Sequence, residues 1–138
     1  MIIDHPPLHA AKFEKEVAIT RQMVKVFASL SGDLNKLHMS DEFAQAHGFE
    51  RAIAHGGLVL GLVSGMLAQT FGDGTIFGEI TARFKRPAYV GDTINISLVV
   101  LRGRREKMMF IRDLGIEIWS RGKKVVEVEN LTIFNKLN

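Results

Sequence analysis

The apolar and polar positions of the chain follow two different periods. Between residues 20 and 71 the apolar residues recur every three or four positions, as they do on the buried face of a helix. Beyond residue 74 they alternate with polar residues, which is the pattern of half-buried strands. A short alternating run, residues 13–19, precedes the helical part. The pattern therefore predicts one strand, a group of helices and then at least four consecutive strands.

The first predicted helix has clear signals at both ends. Thr20 is a favourable N-cap residue, and Gly32 stands where a left-handed turn would end the helix. The apolar face of this helix consists of Met23, Val24, Phe27 and Leu30. Residues 33–39 predict a loop, after which Ser40 and two acidic residues start a second short helix that ends near Gly48.

The longest apolar stretch, residues 56–71, predicts a helix buried inside the domain. It contains no charged residue and is shorter than the roughly 20 residues that a bilayer-spanning helix needs. Small residues recur along one of its faces at helical spacing: Gly57, Gly61, Ser64, Gly65 and Ala68. This stripe indicates either tight packing against a sheet or space for an apolar ligand chain.

Strand-like alternation continues through the rest of the chain. It covers residues 80–84, 94–100, 108–120 and 124–134. Turns are predicted at 102–106 and 121–122, and the alternation slips near 113–115 and Asn130, where we expect β-bulges. Since hairpin-length connections join antiparallel strands, the predicted fold class is α+β, with an antiparallel β-sheet curled around one buried helix.

The composition is that of one globular domain, residues 1–138. Hydrophobic residues make up 46% of the chain and charged residues 24%, which excludes general disorder. The 18 basic and 15 acidic residues leave a net charge of +3, too small a surplus to indicate a nucleic-acid partner. The chain has no cysteine, which excludes disulfides, thiolate metal sites and a cysteine nucleophile.

No targeting or membrane signal is predicted. Residues 1–8 include Asp4, His5 and two prolines, and they lack the basic region and apolar core of a signal peptide. We therefore expect no membrane partner and, by default, a cytoplasmic protein.

Asp33, Asn35 and His38 form the first candidate group, in the loop behind the first helix. A carboxylate and an imidazole close together can share one water molecule and move its protons, and imidazole titrates near neutral pH. The Asn35 amide can orient either partner. Asp and Asn also favour turns for structural reasons, so the spacing alone leaves both interpretations open.

His55 and Gly56 stand where the long apolar helix begins. Free backbone N–H groups at a helix N-terminus attract negative charge, and a glycine lets a ligand oxygen approach the backbone. A thioester or ester carbonyl that gains negative charge during a reaction would be stabilised there. The alternative is a glycine-rich helix entry beside a hydrogen-bonded histidine.

Three patterns are more specific in combination than any of them alone. They are Asp33-x-Asn35-x-x-His38, Phe49-x-Arg51-x-Ile53-x-His55-Gly56 and Lys85-x-Pro87-x-x-x-Gly91-Asp92. With this combination, which covers about residues 20–92, the chain resembles the MaoC-like hotdog family and, within it, the (R)-specific enoyl-CoA hydratases. The resemblance implies a hotdog fold, in which an antiparallel sheet wraps a long central helix, in agreement with the periodicity.

The resemblance also implies an activity and roles for particular residues. The family hydrates trans-2-enoyl thioesters of CoA or acyl carrier protein to (R)-3-hydroxyacyl thioesters, or runs the reverse dehydration, in fatty-acid or polyhydroxyalkanoate metabolism. By this resemblance Asp33 and His38 activate water, and the backbone N–H of Gly56 polarises the thioester carbonyl. The supporting positions around the substrate and the reacting groups are Asn35, His55 and Ser64.

The resemblance implies no metal and no redox cofactor. The implied partners are the acyl-CoA or acyl-carrier-protein thioester and a second copy of the chain, because the family's active sites lie at or near a homodimer interface; higher homo-oligomers are left open. Two other functions remain open from the sequence, a hotdog acyl-CoA thioesterase and a non-catalytic acyl-CoA-binding protein.

Some positions depart from the family pattern and some basic residues have two interpretations. Lys36 and Ala52 stand where proline is common in the family, so we expect looser loops there. Gly57 stands where a larger residue is common, which leaves the shape of the pocket and the length of the substrate open. A cluster of arginines at 102–105 is predicted to form a solvated hairpin tip or to contact CoA phosphates or an acidic carrier protein. The same ambiguity applies to Arg83, Lys85 and Arg86.

Overall fold

The computed structural model describes residues 11–137. Five strands and four helices form along this part of the chain, in the order that the periodicity predicts. They are β1 (Lys12–Ala18), α1 (Arg21–Ser31), α2 (Lys36–Met39), α3 (Asp41–Ala46), α4 (Gly56–Phe71), β2 (Thr75–Phe84), β3 (Thr93–Glu106), β4 (Met109–Ser120) and β5 (Lys123–Lys136). The α+β class is therefore confirmed.

The five strands form one antiparallel sheet with the order β1-β3-β4-β5-β2. Hairpins join β3 to β4 and β4 to β5, whereas β2 lies at the edge beyond β5 and the chain must cross the sheet to reach β3. The residues of this crossing, 85–92, pass beside the start of α4 through a bridge between Ile53 and Tyr89. The topology therefore places a loop from the sheet against the entry to the long helix.

Helix α4 packs one face on the sheet, and this contact forms the hydrophobic core. Val59, Val63 and Leu67 are at most 2% exposed and belong to one cluster with the inward residues of the strands. Burial of each such side chain contributes about 1.5–3 kcal/mol. The packing fixes the N-terminal end of α4 relative to the sheet, and this is the end at which the candidate residues lie.

The opposite face of α4 does not pack on the sheet, so that interpretation of the small-residue stripe is wrong. Gly57, Gly61, Ser64, Gly65 and Ala68 are all exposed. A Cβ at Gly61 or Gly65 would meet no atom within 4 Å. The sheet covers only the face of α4 that carries large apolar side chains, because these gain most from burial.

The predicted bulges are present, but one predicted turn is wrong. The pairing of β4 with β5 shifts between Leu114 and Ile116, and β5 shifts against β2 next to Asn130. In contrast, residues 102–106 do not form a turn, because β3 continues to Glu106 and the chain reverses at Lys107. Arg102 donates across the strand pair to Asp113 at 2.6 Å, so the run of charged residues forms an exposed strand end.

The helix signals before residue 50 are confirmed, with two corrections. The Thr20 side chain accepts from the backbone of Met23, and Gly32 ends α1 with φ at 78°. Leu30, which the spacing assigned to the apolar face, is 82% exposed because α1 packs only its earlier turns on the core. Residues 36–39, predicted as loop, form the short helix α2 because the Asn35 side chain caps it.

None of the helices formed by residues 11–137 is long and apolar enough to span a membrane. Residues 1–8, on which the expectation of no signal peptide rests, lie outside the described residues. The cytoplasmic location stays a prediction.

Candidate active site

Backbone hydrogen bonds bring the three sequence patterns together. Ile53 N–H donates to the carbonyl of Leu37 at 3.0 Å, and Ala54 N–H donates to the carbonyl of Ala88 at 2.7 Å. The segment 51–55 is thereby held between α2 on one side and the crossing loop 85–92 on the other. Residues far apart in the sequence thus meet at the N-terminus of α4.

The carboxylates of Asp41 and Asp92 also fix the position of residues 51–55. The Asp41 carboxylate accepts from the backbone N–H of Ala52 at 2.9 Å and from Arg21 at 3.0 Å. These contacts, the backbone N–H first, lower the pKa of Asp41 below its ordinary value. Arg51 donates to Asp92 at 2.5 Å, which ties the same segment to the end of the crossing loop.

Asp33 is positioned by the turn that follows α1. Its backbone N–H donates to Ser31 Oγ at 3.1 Å, and its Oδ1 accepts from the backbone N–H of Asn35 at 3.2 Å. Asn35 Oδ1 in turn accepts from the backbone N–H of Leu37 at 3.0 Å and caps α2. Asn35 therefore fixes both the turn that holds Asp33 and the start of the helix that carries His38.

His38 presents a basic nitrogen towards Asp33. Its Nδ1 lies 2.8 Å from the carbonyl oxygen of Ile53, and because a carbonyl only accepts, this nitrogen carries the proton. In the neutral ring Nε2 then has a free lone pair. Nε2 lies 3.8 Å from Asp33 Oδ2, too far for a direct hydrogen bond and close enough for one water molecule to contact both atoms.

His55 lies directly behind this pair and is 1% exposed. Its Nε2 donates to the backbone carbonyl of Asp33 at 3.0 Å, and its ring lies 3.9 Å from the His38 ring, centroid to centroid, at 31°. The ring of Phe27 covers its other side at 4.8 Å. His55 thus contacts both members of the pair, while its buried Nδ1 has no hydrogen-bond partner within residues 11–137.

Gly56 is the first residue of α4, and no side chain caps this helix. The backbone N–H groups of its first turn therefore remain available to a ligand. Gly56 lines a cavity of about 410 Å³ together with His38, and a Cβ added to it would come within 3.0 Å of the Phe84 ring. The absence of a side chain at this position keeps the helix terminus open to the cavity.

The rest of this cavity is mostly apolar. Its walls come from the segment before α4, from α4 itself, from the end of β2, from the crossing loop and from β5. They include Phe49, Ile53, Val59, Phe84, Pro87 and Val126. A volume of this size and character is typical of a site for a small organic ligand. The arrangement offers an acid–base pair on one wall, an anion-stabilising helix end on another and room for an apolar chain between them.

A family model described as the MaoC like domain matches residues 4–128. The match covers nearly the whole chain. The chain belongs to the MaoC-like domain family.

Two relatives of this MaoC-like chain and one solved structure give the range of similarity. The chain is 39% identical to an (R)-specific enoyl-CoA hydratase of Aeromonas caviae over 72% of its own length and 73% of the relative. It is 30% identical to a 3-hydroxybutyryl-CoA dehydratase of Methylorubrum extorquens over 89% and 87%, respectively. The structure of an (R)-hydratase from A. caviae involved in PHA biosynthesis matches with a TM-score of 0.83 and 33% identity, over 94% of this chain and 96% of that one. The hotdog fold is confirmed.

Ser64, one of the predicted residues of the MaoC-like site, does not lie at this site in the single chain. Ser64 lies two turns along α4 from Gly56, on the exposed face, and does not line the cavity. Asp33, Asn35, His38, His55 and Gly56 do come together. Sequence reasoning missed Phe84 as a wall of the cavity, because the alternation of a strand shows which residues share a face and not which loop will lie against that face. Phe49 was part of the second sequence pattern but had no predicted role in the cavity.

Asp33, His38 and His55 also have the side-chain types of a metal site, so metal binding is the alternative to acid–base chemistry for this cluster. Asp33, His38 and His55 each offer a ligand atom, and these atoms lie within 4.8 Å of one another. Each histidine already has one nitrogen bonded to a backbone carbonyl, so only the other nitrogen of each ring remains. The expectation of a metal-free reaction stays a prediction.

Proposed function

We propose that this chain is an (R)-specific enoyl-thioester hydratase, which also runs the reverse dehydration of (R)-3-hydroxyacyl thioesters. The observation that carries the proposal is the separation of 3.8 Å between His38 Nε2 and Asp33 Oδ2, beside a cavity on which the open N-terminus of α4 also lies. The similarity to hydratases and dehydratases of CoA thioesters supports the same reaction.

In the hydration direction a water molecule sits between Asp33 Oδ2 and His38 Nε2. His38 takes one proton of the water as its oxygen forms a bond to C3 of the enoyl group, and Asp33 accepts the hydrogen bond of the other. The electron pair of the C2–C3 double bond moves to the thioester oxygen, where the Gly56 N–H and the helix end stabilise the enolate. The protonated His38 then returns a proton to C2, so that the elements of water are added across the double bond, His38 is neutral again and nothing is oxidised or reduced.

Asn35 and His55 act through the two reacting side chains. Asn35 sets the turn that aims Asp33 and caps the helix of His38. His55 holds the Asp33 backbone and supports the His38 ring from behind. Both are positioning residues, because neither lies where the water or the thioester would bind.

The apolar cavity suits the acyl chain of a thioester carried by CoA or acyl carrier protein. Hydration transfers no electrons and so needs no redox cofactor. We further propose that Asp33, His38 and the Gly56 N–H perform it without a metal ion.

We further propose that the protein is a homodimer. The support is the exposed small-residue face of α4, since small residues allow another backbone to approach closely, together with the exposed Ile76 and Phe84 on the edge strand β2. A Cβ at Gly61 would meet no atom within 4 Å in a single chain, so we expect a Gly61→Leu variant to fold and to elute as a monomer in size-exclusion chromatography with light scattering. Lys25→Leu, on the exposed side of α1, is the control; if both variants elute as the wild type does, this face is not the interface.

The function is tested with crotonyl-CoA and two simultaneous readouts. We expect loss of the enoyl-thioester absorbance without release of free thiol, and a product that chiral analysis identifies as (R)-3-hydroxybutyryl-CoA. Release of thiol would indicate the hotdog thioesterase instead. Binding of enoyl-CoA of several chain lengths without turnover of any would indicate the non-catalytic acyl-CoA-binding protein.

A further inference from the structure

A second cavity, of about 440 Å³, adjoins the proposed catalytic cavity. Three residues, Arg86, Pro87 and Val125, line both cavities, so the two share one rim. The character of the walls changes across this rim. The catalytic cavity is mostly apolar, whereas the second cavity, called here the basic groove, is lined by Glu50, Arg86, Tyr89, Asp92, Arg121 and Lys123, with a few smaller residues.

The two acidic residues of the basic groove are already neutralised. Arg121 donates to Glu50 at 2.9 Å and to Asp92 at 3.0 Å, and Arg51 donates to Asp92 from behind. The guanidinium groups of Arg51 and Arg121 both lie near the Tyr89 ring, at 5.1 and 5.3 Å from its centroid. Arg121 lowers the pKa of Glu50, so this carboxylate stays ionised and bound to Arg121 at neutral pH.

Arg86 and Lys123, two cations of the basic groove, have no acidic partner within residues 11–137. The neighbouring basic residues Arg83 and Lys85, in contrast, each have an acidic partner. Arg83 pairs with Glu129 at 2.9 Å, and Lys85 pairs with Glu127 at 3.6 Å.

Arg86 is also held in place. One of its terminal nitrogens donates to the backbone carbonyl of Lys124 at 2.8 Å. Its other guanidinium N–H groups, at the rim of the catalytic cavity, have no hydrogen-bond partner in the described part of the chain. A fixed guanidinium and a flexible ammonium without counter-charges suit a phosphate, which accepts charge-assisted hydrogen bonds from both.

We propose that the basic groove binds the phosphate-bearing end of the substrate's carrier arm, with Arg86 and Lys123 as its phosphate ligands. The inference rests on the proposed function, because a thioester whose acyl chain enters the catalytic cavity must leave its carrier arm outside the rim. That arm is pantetheine, which is uncharged, followed by phosphate in both CoA and acyl carrier protein. The groove therefore recognises a chemical feature that the two carriers share, and CoA has further phosphates on its nucleotide.

The test compares crotonyl-CoA with crotonyl-pantetheine, which has the same arm and no phosphate. The measured quantity is the ratio of their kcat/KM values, which cancels any general damage to the active site. In the Arg86→Gln/Lys123→Gln variant we expect this ratio to fall about tenfold, as for the loss of a charge-assisted hydrogen bond. The control is Lys25→Gln/Lys107→Gln, which removes the same charge from two exposed positions, on α1 and in the turn after β3, and its ratio should equal that of the wild type.

A ratio that is unchanged in the groove variant, or lowered equally in the control, would overturn the proposal. Crotonyl-acyl carrier protein distinguishes the sources of the phosphate. A matching loss with this substrate indicates the phosphate next to pantetheine, and a loss with CoA alone indicates the nucleotide phosphates.

Failure of the proposed function would be visible separately, as no turnover of any of these thioesters by the wild type. The groove is then tested by calorimetric binding of CoA. Weaker binding to the groove variant than to the control supports the phosphate site, and equal binding to both overturns it.

Discussion

The segment that carries the proposed catalytic groups and the sheet beneath it are stabilised in different ways. In the sheet, the backbones of β3, β4 and β5 pair along their lengths and most of the buried side chains are aliphatic. Residues 31–56 have short helices and turns, and side chains supply many of their hydrogen bonds. Those side chains are Ser31, Asp33, Asn35, His38, Ser40, Asp41, Gln45, Arg51 and His55.

The difference determines what a single substitution does. A backbone ladder persists when one side chain changes, so a substitution in the sheet mainly alters the free energy of unfolding. In residues 31–56 the side chain is itself the link, so a substitution there moves the groups it holds. We therefore expect substitutions in residues 31–56 to change the turnover rate, and substitutions of polar residues in the sheet to change the free energy of unfolding.

The largest effect is expected for Asp33→Asn. The substitution keeps the size and the hydrogen bond from Asn35 but removes the negative charge that orients the water. We expect kcat for crotonyl-CoA to fall by about a hundred- to ten-thousandfold, the range for loss of an acid–base group, with an unchanged circular dichroism spectrum and melting temperature. Asp73→Asn, in the exposed turn after α4, is the control and should retain wild-type turnover; equal activity of the two variants would contradict the site.

An intermediate effect is expected for Asn35→Ala, because Asn35 links the turn that holds Asp33 to the helix that carries His38 but is not itself a reacting group. Loss of the cap on α2 costs about 1 kcal/mol, and the resulting displacement of His38 should lower kcat about tenfold. The Asn35→Ser variant restores an N-cap oxygen and is expected to recover most of the lost turnover. If the serine variant is as slow as the alanine variant, the amide has a role other than capping.

The smallest effect on turnover is expected in the sheet, for Asp113→Asn. Arg102, and after it Thr132, bind the Asp113 carboxylate and lower its pKa below the ordinary value. The stability that this contributes is complete above the ordinary pKa of an aspartate and is lost as the pH falls through the lower value in the folded protein. We expect the variant to lose about 1 kcal/mol at pH 7 by urea unfolding, with kcat unchanged.

The pH dependence provides the control for this variant. The stability difference between wild type and Asp113→Asn should shrink as the pH is lowered from the ordinary pKa of an aspartate through the lower pKa of Asp113 in the folded protein, because the wild-type carboxylate then becomes protonated. A difference that stays constant across this range would show that packing, and not charge, is responsible.

Much of the fold could be predicted because its signals are local. Thr20 and Gly32 mark the ends of α1 by chemistry that acts within a few residues. The turn predicted at 102–106 was wrong because the cross-strand partner of its arginines, Asp113, is not visible to a local pattern.

The site could be predicted only in part. The resemblance identified Asp33, His38 and Gly56 as a group, but their geometry depends on long-range bonds such as that from His38 to the carbonyl of Ile53. The exposed position of Ser64 could not be foreseen, because helical spacing shows that residues share a face and not what covers that face.

In the proposed reaction the Asp33–His38 pair delivers water to C3 of the enoyl thioester and not to its carbonyl carbon. Incubation with crotonyl-CoA in water enriched in oxygen-18, followed by mass spectrometry of the products, locates the solvent oxygen directly. We expect label in the 3-hydroxyl group of intact hydroxybutyryl-CoA and none in a free carboxylate. Label in the carboxylate of released crotonate would contradict it.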